Sequence, residues 1–352
     1  MQTEWRKGMT QNSKIVWSEG LFLRPQHMQQ HERYVERFVN LRAGDLRPFA
    51  WGFSELELET DLLAVGSLGI RRARGVFPDG TPFSMPDDDP LPPPLEVDAG
   101  CRDQLIYLTL PLRTPSQPDS AWPEASGDGL FRYRVRETEV GDASGSTAGS
   151  VLLEVGGMSA RLLPQSQPLE GLTRIPVARV VERRSDNRIV LDEAFIPTTQ
   201  ASRAAPRLST FLVELLGLLP QRGEALAGRV ALTDRGGSAE IADFLLLQAV
   251  NRWQPLVAHW SESQSPHPES LYASLVSMAG ELATFTAPGK RLAALPPYRH
   301  DAQQESFEPV IAALRGSLSA VLEQNATAIP VQRRKFGVWV ATVPDPGLLD
   351  SA

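Results

Sequence analysis

The stretch KIVWSEGLFLRPQHMQQ, residues 14–30, decides how the start of this chain is interpreted. Its first half places one tryptophan, one phenylalanine and two leucines around a Glu-Gly pair, which is too dense for a generic surface strand. Pro25 suits the first turn of a helix, because its missing N–H has no helical partner there. A stripe at helical spacing, Tyr34, Val35, Phe38 and Val39, predicts that this helix continues.

The composition is that of an ordinary globular protein with two or three domains. The chain has 352 residues, 42% hydrophobic and 22% charged, with a net charge of −7. Its basic clusters are short, which excludes the positive face of a nucleic-acid-binding protein. The single cysteine, Cys101, fits a reducing compartment. Residues 1–14 lack the apolar core of a signal peptide, and the longest apolar run, 208–219, is too short to span a bilayer. We therefore expect a cytoplasmic protein.

Residues 14–197, after a flexible extension at 1–13, are predicted to form an antiparallel β-sandwich. Phe131, Tyr133 and Val135 alternate with arginines, a pattern that predicts one buried and one solvated face. The Pro-Asp-Gly sequence at 78–80 predicts a turn, and Pro176 places its strand at an edge or a bulge. Many short strands with Gly and Pro between them favour a sandwich or barrel over alternating strands and helices.

Residues 198–328 are predicted to form four helices packed as a bundle stem. Their apolar residues recur at helical spacing, and those of the third and fourth helices have heptad spacing. The four stripes are Leu208, Phe211, Leu212, Leu215 and Leu219; Ile241, Leu245, Ala249, Leu256 and Trp260; Leu271, Leu275, Met278, Leu282 and Phe285; and Phe307, Ile311, Leu314, Leu318 and Val321. Spacing alone leaves open whether these residues form an internal core or contact other copies of the chain.

Residues 329–352 are predicted to begin a further, C-terminal domain. The segment 335–343, KFGVWVATV, is predicted to be one strand, with Phe336, Val338 and Val340 on the face to be buried. A lone strand is unstable, so this segment must pair within the chain or be disordered.

Residues 16–30 resemble the opening of the TssK family, also called ImpJ or VasE, the trimeric baseplate proteins of bacterial type VI secretion systems. The family's run of valine-Trp-x-Glu-Gly-x-Phe-Leu-x-Pro-Gln-His followed by glutamines is matched nearly residue for residue, and Met28 replaces what is more often an aromatic residue. Gly75-Val76-Phe77 before the predicted turn, and the Pro297-Tyr298-x-His300-Asp301 sequence, extend the resemblance along the chain.

The resemblance implies a non-enzymatic structural scaffold with no cofactor, built as a β-sandwich shoulder, a helical stem and a C-terminal head. It implies a homotrimer whose shoulder binds the wedge proteins TssG and TssF, with TssE in the assembly. The head would bind the membrane-complex proteins TssL, TssM and TssJ at the cytoplasmic face of the inner membrane, without inserting into the membrane. Because family members continue for roughly another domain's length, we expect the head contacts to be lost here.

Two sets of residues carry these expectations. The set expected to bind the wedge proteins is Trp17, Glu19, Gly20, Phe22, Leu23, Pro25, Gln26 and His27. The set expected to mediate trimer contacts in the stem is Leu271, Leu275, Met278, Leu282, Phe285, Phe307, Ile311, Leu314 and Leu318.

Other chemistry has weaker support in the sequence. His27 and His31 are four residues apart on a helix, but no third ligand follows, so a polar helix face is favoured over a metal site. The acidic run 87–89 lacks EF-hand spacing, and Cys101 lacks a catalytic partner. The alternative functions are a carbohydrate-active β-sandwich enzyme with a helical accessory domain, or a sugar- or peptide-binding module that uses Trp122.

Overall fold

A computed structural model describes residues 12–114, 117–122, 130–143, 149–232, 238–262, 265–320 and 331–341 of the chain. One long helix precedes a region of strands, and helices follow, so the predicted order of β structure and then helices is confirmed. The helices are α1 (Pro25–Leu46), α2 (Thr60–Leu63), α3 (Pro206–Leu232), α4 (Ser238–Glu262), α5 (Pro268–Thr286) and α6 (Gln303–Ser319). The strands are β1 (Gly52–Leu58), β2 (Ser67–Leu68), β3 (Ile70–Val76), β4 (Pro82–Met85), β5 (Leu95–Glu96), β6 (Arg102–Pro111), β7 (Ser120–Ala121), β8 (Tyr133–Gly141), β9 (Ser150–Met158), β10 (Arg161–Pro164), β11 (Leu172–Arg183), β12 (Ile189–Leu191), β13 (Val331–Arg333) and β14 (Trp339–Ala341).

Two antiparallel sheets contribute to one apolar core. The first has the strand order β1-β3-β4 and the second β10-β6-β11-β12. Phe53 and Phe83 of the first sheet belong to the same buried cluster as Ile106 and Ile175 of the second. Pro176 lies inside β11, at a register shift between β11 and β6. Of the two predicted positions for this proline, an edge or a bulge, the structure therefore shows the bulge. At a bulge the regular ladder of hydrogen bonds is interrupted, so the missing N–H of Pro176 leaves no bond unmade.

A third sheet contains a long hairpin. Strand β7 pairs in parallel with β8, and β8 pairs with β9 along nine residues each. The predicted alternation before and within β8 is only partly right. Arg134 and Arg136 are exposed, but Arg132 is buried, because it precedes the strand and donates hydrogen bonds to the Asp79 carboxylate at 2.9 Å and the Pro111 carbonyl at 2.6 Å.

Contacts divide the chain into two units. One contains the residues up to Leu212, Ser263–Ala273 and Pro296–Glu308, and the other contains Val213–Glu262, Ser274–Leu295 and the residues from Pro309 on. The division falls within α3, α5 and α6, after the boundary predicted at residue 197. The predicted extension at 1–13 lies outside the described residues except for its last two.

Side-chain bonds connect the four helices of the second unit in sequence. The Arg315 guanidinium donates to Glu214, which joins α6 to α3, and Arg229 donates twice to Asp243, which joins α3 to α4. The Trp253 indole N–H donates to Glu281 at 2.6 Å, which joins α4 to α5.

The predicted apolar stripe of α4 is only partly correct. Ile241, Leu245 and Leu256 are exposed and Trp260 is half-buried, whereas Ala249 is buried as predicted. The other buried residues of α4 include Leu246, Val250 and Trp253. Both sides of α4 carry apolar residues, so spacing could not distinguish the buried side from the exposed one.

The last described segment is a short hairpin of β13 and β14. Residues Lys335–Gly337 form a 3-10 turn instead of the predicted strand, and Phe336 in that turn has φ of 70° and is 99% exposed. The strand prediction is therefore correct only for Trp339–Ala341, which pairs with β13, and residues 342 and 343 lie outside the described part. Val338 and Val340 are exposed as well, so no buried face forms.

Candidate functional site

Helix α1 is unusual because none of its 22 residues is buried. A helix of a globular protein normally covers a stripe of apolar residues against a core. Here Met28, Val35, Phe38, Val39 and Leu41 all remain largely exposed. The helix and the segment before it therefore form a surface suited to contact with another molecule.

The segment before α1 folds back along the first turns of the helix. The Gln30 side-chain amide donates to the Ser13 carbonyl at 2.8 Å. The Trp17 ring lies with its centroid 6.4 Å from that of His27 and 6.3 Å from that of His31. The two histidines that share one helix face thus contact a tryptophan.

Two local features explain the sequence between Ser18 and His27. The Leu21 N–H donates to the Ser18 carbonyl, and Gly20 in this turn has φ of 79°, a region that favours glycine. The backbone N–H of Arg24 donates to His27 Nδ1 at 3.0 Å, at the start of the helix. His27 therefore satisfies a backbone donor at the helix entry, as the glutamate of a capping box does.

Two of the contacts that attach helix α1 to the β structure lie on one of its faces. The Arg113 guanidinium lies between Glu36 of α1, at 2.6 Å, and Asp119, at 2.8 Å. Burial opposes the charge of Arg113, but the two carboxylates outweigh it and raise its pKa. Asn40 packs on the turn at Gly80, where φ is 88° and an added Cβ would lie 2.4 Å from the Asn40 side chain.

A buried histidine pair holds the chain immediately after α1. His267 Nε2–H donates to the Phe49 carbonyl at 3.1 Å, and His300 Nε2–H donates to the Trp51 carbonyl at 2.8 Å. The two imidazoles stack with centroids 5.5 Å apart and planes 5° apart. The Tyr298 hydroxyl donates to His300 Nδ1 at 2.8 Å.

These hydrogen bonds require neutral imidazoles. Each Nε2 donates, and the Nδ1 of His267 accepts from the Glu269 backbone N–H at 3.2 Å. Burial lowers the pKa of His267, and burial with the neighbouring His267 lowers the pKa of His300 to about 4. This pairing could not be predicted from the sequence, because the two residues are 33 positions apart in helical and loop segments.

The residues predicted to bind wedge proteins lie on the exposed surface just described. Phe22 is 80% exposed, Leu23 55% and Trp17 52%. The remaining members of the set are Glu19, Gly20, Pro25 and Gln26, which are exposed, and His27, which is half-buried. The structure thus collects the set at one place, although a partner for it stays a prediction.

The residues predicted to mediate trimer contacts lie elsewhere. Leu271, Leu275, Met278, Leu282, Phe307, Ile311, Leu314 and Leu318 are buried within the single chain, and Phe285 is half-buried. This is the placement that the alternative of an internal core predicts. Direct trimer contact through these residues stays a prediction, and it would require the chain to open around them.

The chain matches a family of secretion proteins along most of its length. Residues 27–352 match the family described as Bacterial Type VI secretion, VC_A0110, EvfL, ImpJ, VasE. The chain belongs to this family. The resemblance drawn from residues 16–30 is therefore confirmed, even though most of that motif precedes the matched range.

Named relatives of the VasE family agree with this assignment. The type VI secretion system baseplate component TssK1 of Pseudomonas aeruginosa is 46% identical over 344 residues, which are 98% of this chain and 77% of TssK1. A crystal structure of TssK has a TM-score of 0.84 and 37% identity, covering 95% of this chain and 75% of that one. A chain from a cryo-electron microscopy structure of the TssK-TssF-TssG baseplate subcomplex has a TM-score of 0.76 and 27% identity, covering 88% and 99%. These relatives give no support to a carbohydrate-active enzyme.

Three features of the described residues of this VasE-family chain concern metal binding, thiol reactivity and membrane-spanning helices. In that part of the chain no three His, Cys, Asp or Glu side chains are grouped to hold a metal ion. Cys101 is buried, and burial raises its pKa, which disfavours the reactive thiolate. No helix within the described ranges is both long and apolar enough to cross a membrane.

Proposed function

We propose that this chain is a non-enzymatic structural subunit of a type VI secretion baseplate, that it works as a homotrimer, and that it binds wedge proteins like TssF and TssG. The 46% identity to the baseplate component TssK1 over nearly the whole chain is the observation that carries this proposal. A TssK that shares this fold is part of a TssK-TssF-TssG subcomplex.

The geometry of the N-terminal surface supports the wedge contact. Trp17 is held against His27 and His31, so little conformational freedom remains for it to lose on binding. Phe22 and Leu23 lie between the turn at Gly20 and the start of α1, and both are exposed. Large apolar side chains of this kind supply most of the free energy of many protein interfaces.

The position of the assembly in the cell follows from the same proposal. A baseplate subunit of this family acts in the cytoplasm, at the inner face of the inner membrane. The residues that the family resemblance assigns to membrane-complex contact belong to a C-terminal head. We therefore assign residues 12–320 to the baseplate side, and we assign no contact with TssL, TssM or TssJ to them.

A binding assay with matched variants tests the proposal. The immobilised TssF-TssG complex of the same secretion system is presented with the wild-type chain and with Trp17→Ala or Phe22→Ala. Each substitution is expected to weaken binding about tenfold or more, as truncation of an interface anchor does. Trp122→Ala and Phe336→Ala are the controls, since these rings are 54% and 99% exposed.

The two parts of the proposal fail in different ways. If the wild-type chain does not bind TssF-TssG, the assignment to the wedge side of the baseplate is refuted. If the wild type binds and both motif variants bind equally well, the function stands and the contact lies outside residues 17–22.

A further inference from the structure

Two exposed surfaces of this chain have opposite charge and matching apolar centres. The first lies on α1, where Phe38 and Leu41 are exposed between the guanidinium groups of Arg37 and Arg42. Arg42 lies over the Phe38 ring at 5.9 Å. At 100° per residue, Phe38 lies opposite the face of α1 that carries the attaching residues Glu36 and Asn40. We call this group of four residues the helix patch.

The second surface lies on the hairpin of β8 and β9. Leu152 is 65% exposed and is the cross-strand partner of Glu139. Glu137 and Glu154 are cross-strand partners two pairs further along the ladder, and therefore on the same face. We call these four residues the hairpin patch.

The hairpin patch carries carboxylates that no described residue pairs with in a salt bridge. Carboxylates directly opposite each other on a sheet repel. Glu137 and Glu154 form no ion pair with any described residue. On α1, Arg37 and Arg42 also have no acidic partner in the part of the chain that the structure describes.

We propose that the hairpin patch of one copy of this chain packs on the helix patch of a second copy. Leu152 would contact Phe38 and Leu41, and Glu137 and Glu154 would pair with Arg37 and Arg42. Both patches are exposed in one chain, so they do not cover each other there. This inference rests on the proposed homotrimer and deepens it, because it names the contact between copies.

The proposed contact is of a kind that closes into a ring. It joins two different surfaces, so each copy offers one patch to each neighbour, and three copies related by rotation leave neither patch uncovered. It also provides exposed residues for contact between copies, which the predicted stem residues do not. The residues predicted there for trimer contact are already buried in the single chain, whereas both patches are free of core packing.

Cysteine crosslinking tests the contact directly, because Cys101 is the single cysteine of the chain and is buried. Full-length chains with Phe38→Cys and chains with Leu152→Cys are mixed, oxidised and separated without reductant. The expected result is a disulfide between the two kinds of chain, and a ladder of linked copies when one chain carries both substitutions. Val65→Cys, an exposed position of the same unit, replaces Phe38→Cys in the control and should give no link to Leu152→Cys.

A charge swap serves as a second measurement that does not depend on disulfide geometry. Glu137→Arg with Glu154→Arg should shift the molar mass measured by light scattering from trimer towards monomer at micromolar concentration. Adding Arg37→Glu and Arg42→Glu to the same chain should restore the trimer.

Each other outcome overturns the proposal. A trimeric chain that shows neither the disulfide nor the rescue refutes the contact and leaves the homotrimer standing. A disulfide formed within one chain places the two patches together intramolecularly and also refutes it. A wild-type chain that is monomeric at micromolar concentration refutes both the contact and the homotrimer, while binding to TssF-TssG remains a separate test of the function.

Discussion

Acidification should destabilise this protein through His300, which the fold holds neutral. The pKa of His300 is lowered from 6.5 to about 4 by burial and by the neighbouring His267. The unfolded chain therefore binds more protons than the folded chain between these two values. The free energy of unfolding must then fall as the pH is lowered from about 6.5 to 4, and the full stabilisation is present above 6.5.

The size of the effect follows from the two pKa values. The difference between about 4 and 6.5, at about 1.4 kcal/mol for each pH unit, corresponds to about 3 kcal/mol. The structural reason is that protonation adds a donor at Nδ1, where the Tyr298 hydroxyl already donates. The cationic ring would also stack on His267, and the nearby Asp301 carboxylate offsets its charge only in part.

Urea unfolding between pH 4.5 and 7.5 measures the effect. His300→Gln should show a flatter dependence on pH than the wild type, because glutamine can donate to the Trp51 carbonyl without titrating in this range. His31→Gln, which removes an exposed histidine, is the matched control and should follow the wild type. The reasoning is wrong if the unfolding free energies of His300→Gln and the wild type fall by the same amount between pH 7.5 and 4.5, to within about 0.5 kcal/mol. It is also wrong if NMR shows His300 titrating near 6.5.

Three further outcomes are expected. Leu275→Ala should cost about 2–5 kcal/mol in urea unfolding, because Leu275 is completely buried in the single chain, and a cost below about 1 kcal/mol would contradict that placement. Gly80→Ala should lower the melting temperature, because φ is 88° and the new Cβ would meet Asn40. Adding Asn40→Ala to this variant should recover only the part of the loss in melting temperature that the close contact causes. Phe22→Ala should change the unfolding free energy of the isolated chain by less than about 1 kcal/mol, since the ring is 80% exposed, and a larger loss would show that the ring packs on its own chain.

The sequence predicted the features that depend on local chemistry. The helix beginning at Pro25 and the turn at residues 78–80 both form where their proline and glycine residues place them. The bulge at Pro176 is of the same kind, because a residue without an N–H can occupy few positions in a sheet. The apolar stripes of α3, α5 and α6 are buried as helical spacing indicates, except that Phe285 is half-buried and Val321 lies outside the described residues.

Features that depend on distant residues were missed. The alternating pattern predicts that Arg132 is solvated. It is buried instead, because its partners Asp79 and Pro111 come from separate segments of the chain. The stacking of His267 on His300 was missed for the same reason, because the two residues are distant in the sequence. On α4, apolar residues on both sides made the buried face undecidable, and the exposure of Ile241 shows that one of these faces is not used by the core.

The weak attachment of α1 affects how fast proteases degrade the protein in the cell. A helix without a buried face opens locally at little free-energy cost, and an opened helix is a substrate for proteases. A copy that has not joined its neighbours therefore presents a cleavable segment at residues 25–46. Once other chains cover that helix, cleavage slows. Proteases would therefore degrade unassembled copies faster than copies that are part of the assembled baseplate. Limited proteolysis of the lone and the assembled chain would show this difference as the survival of α1.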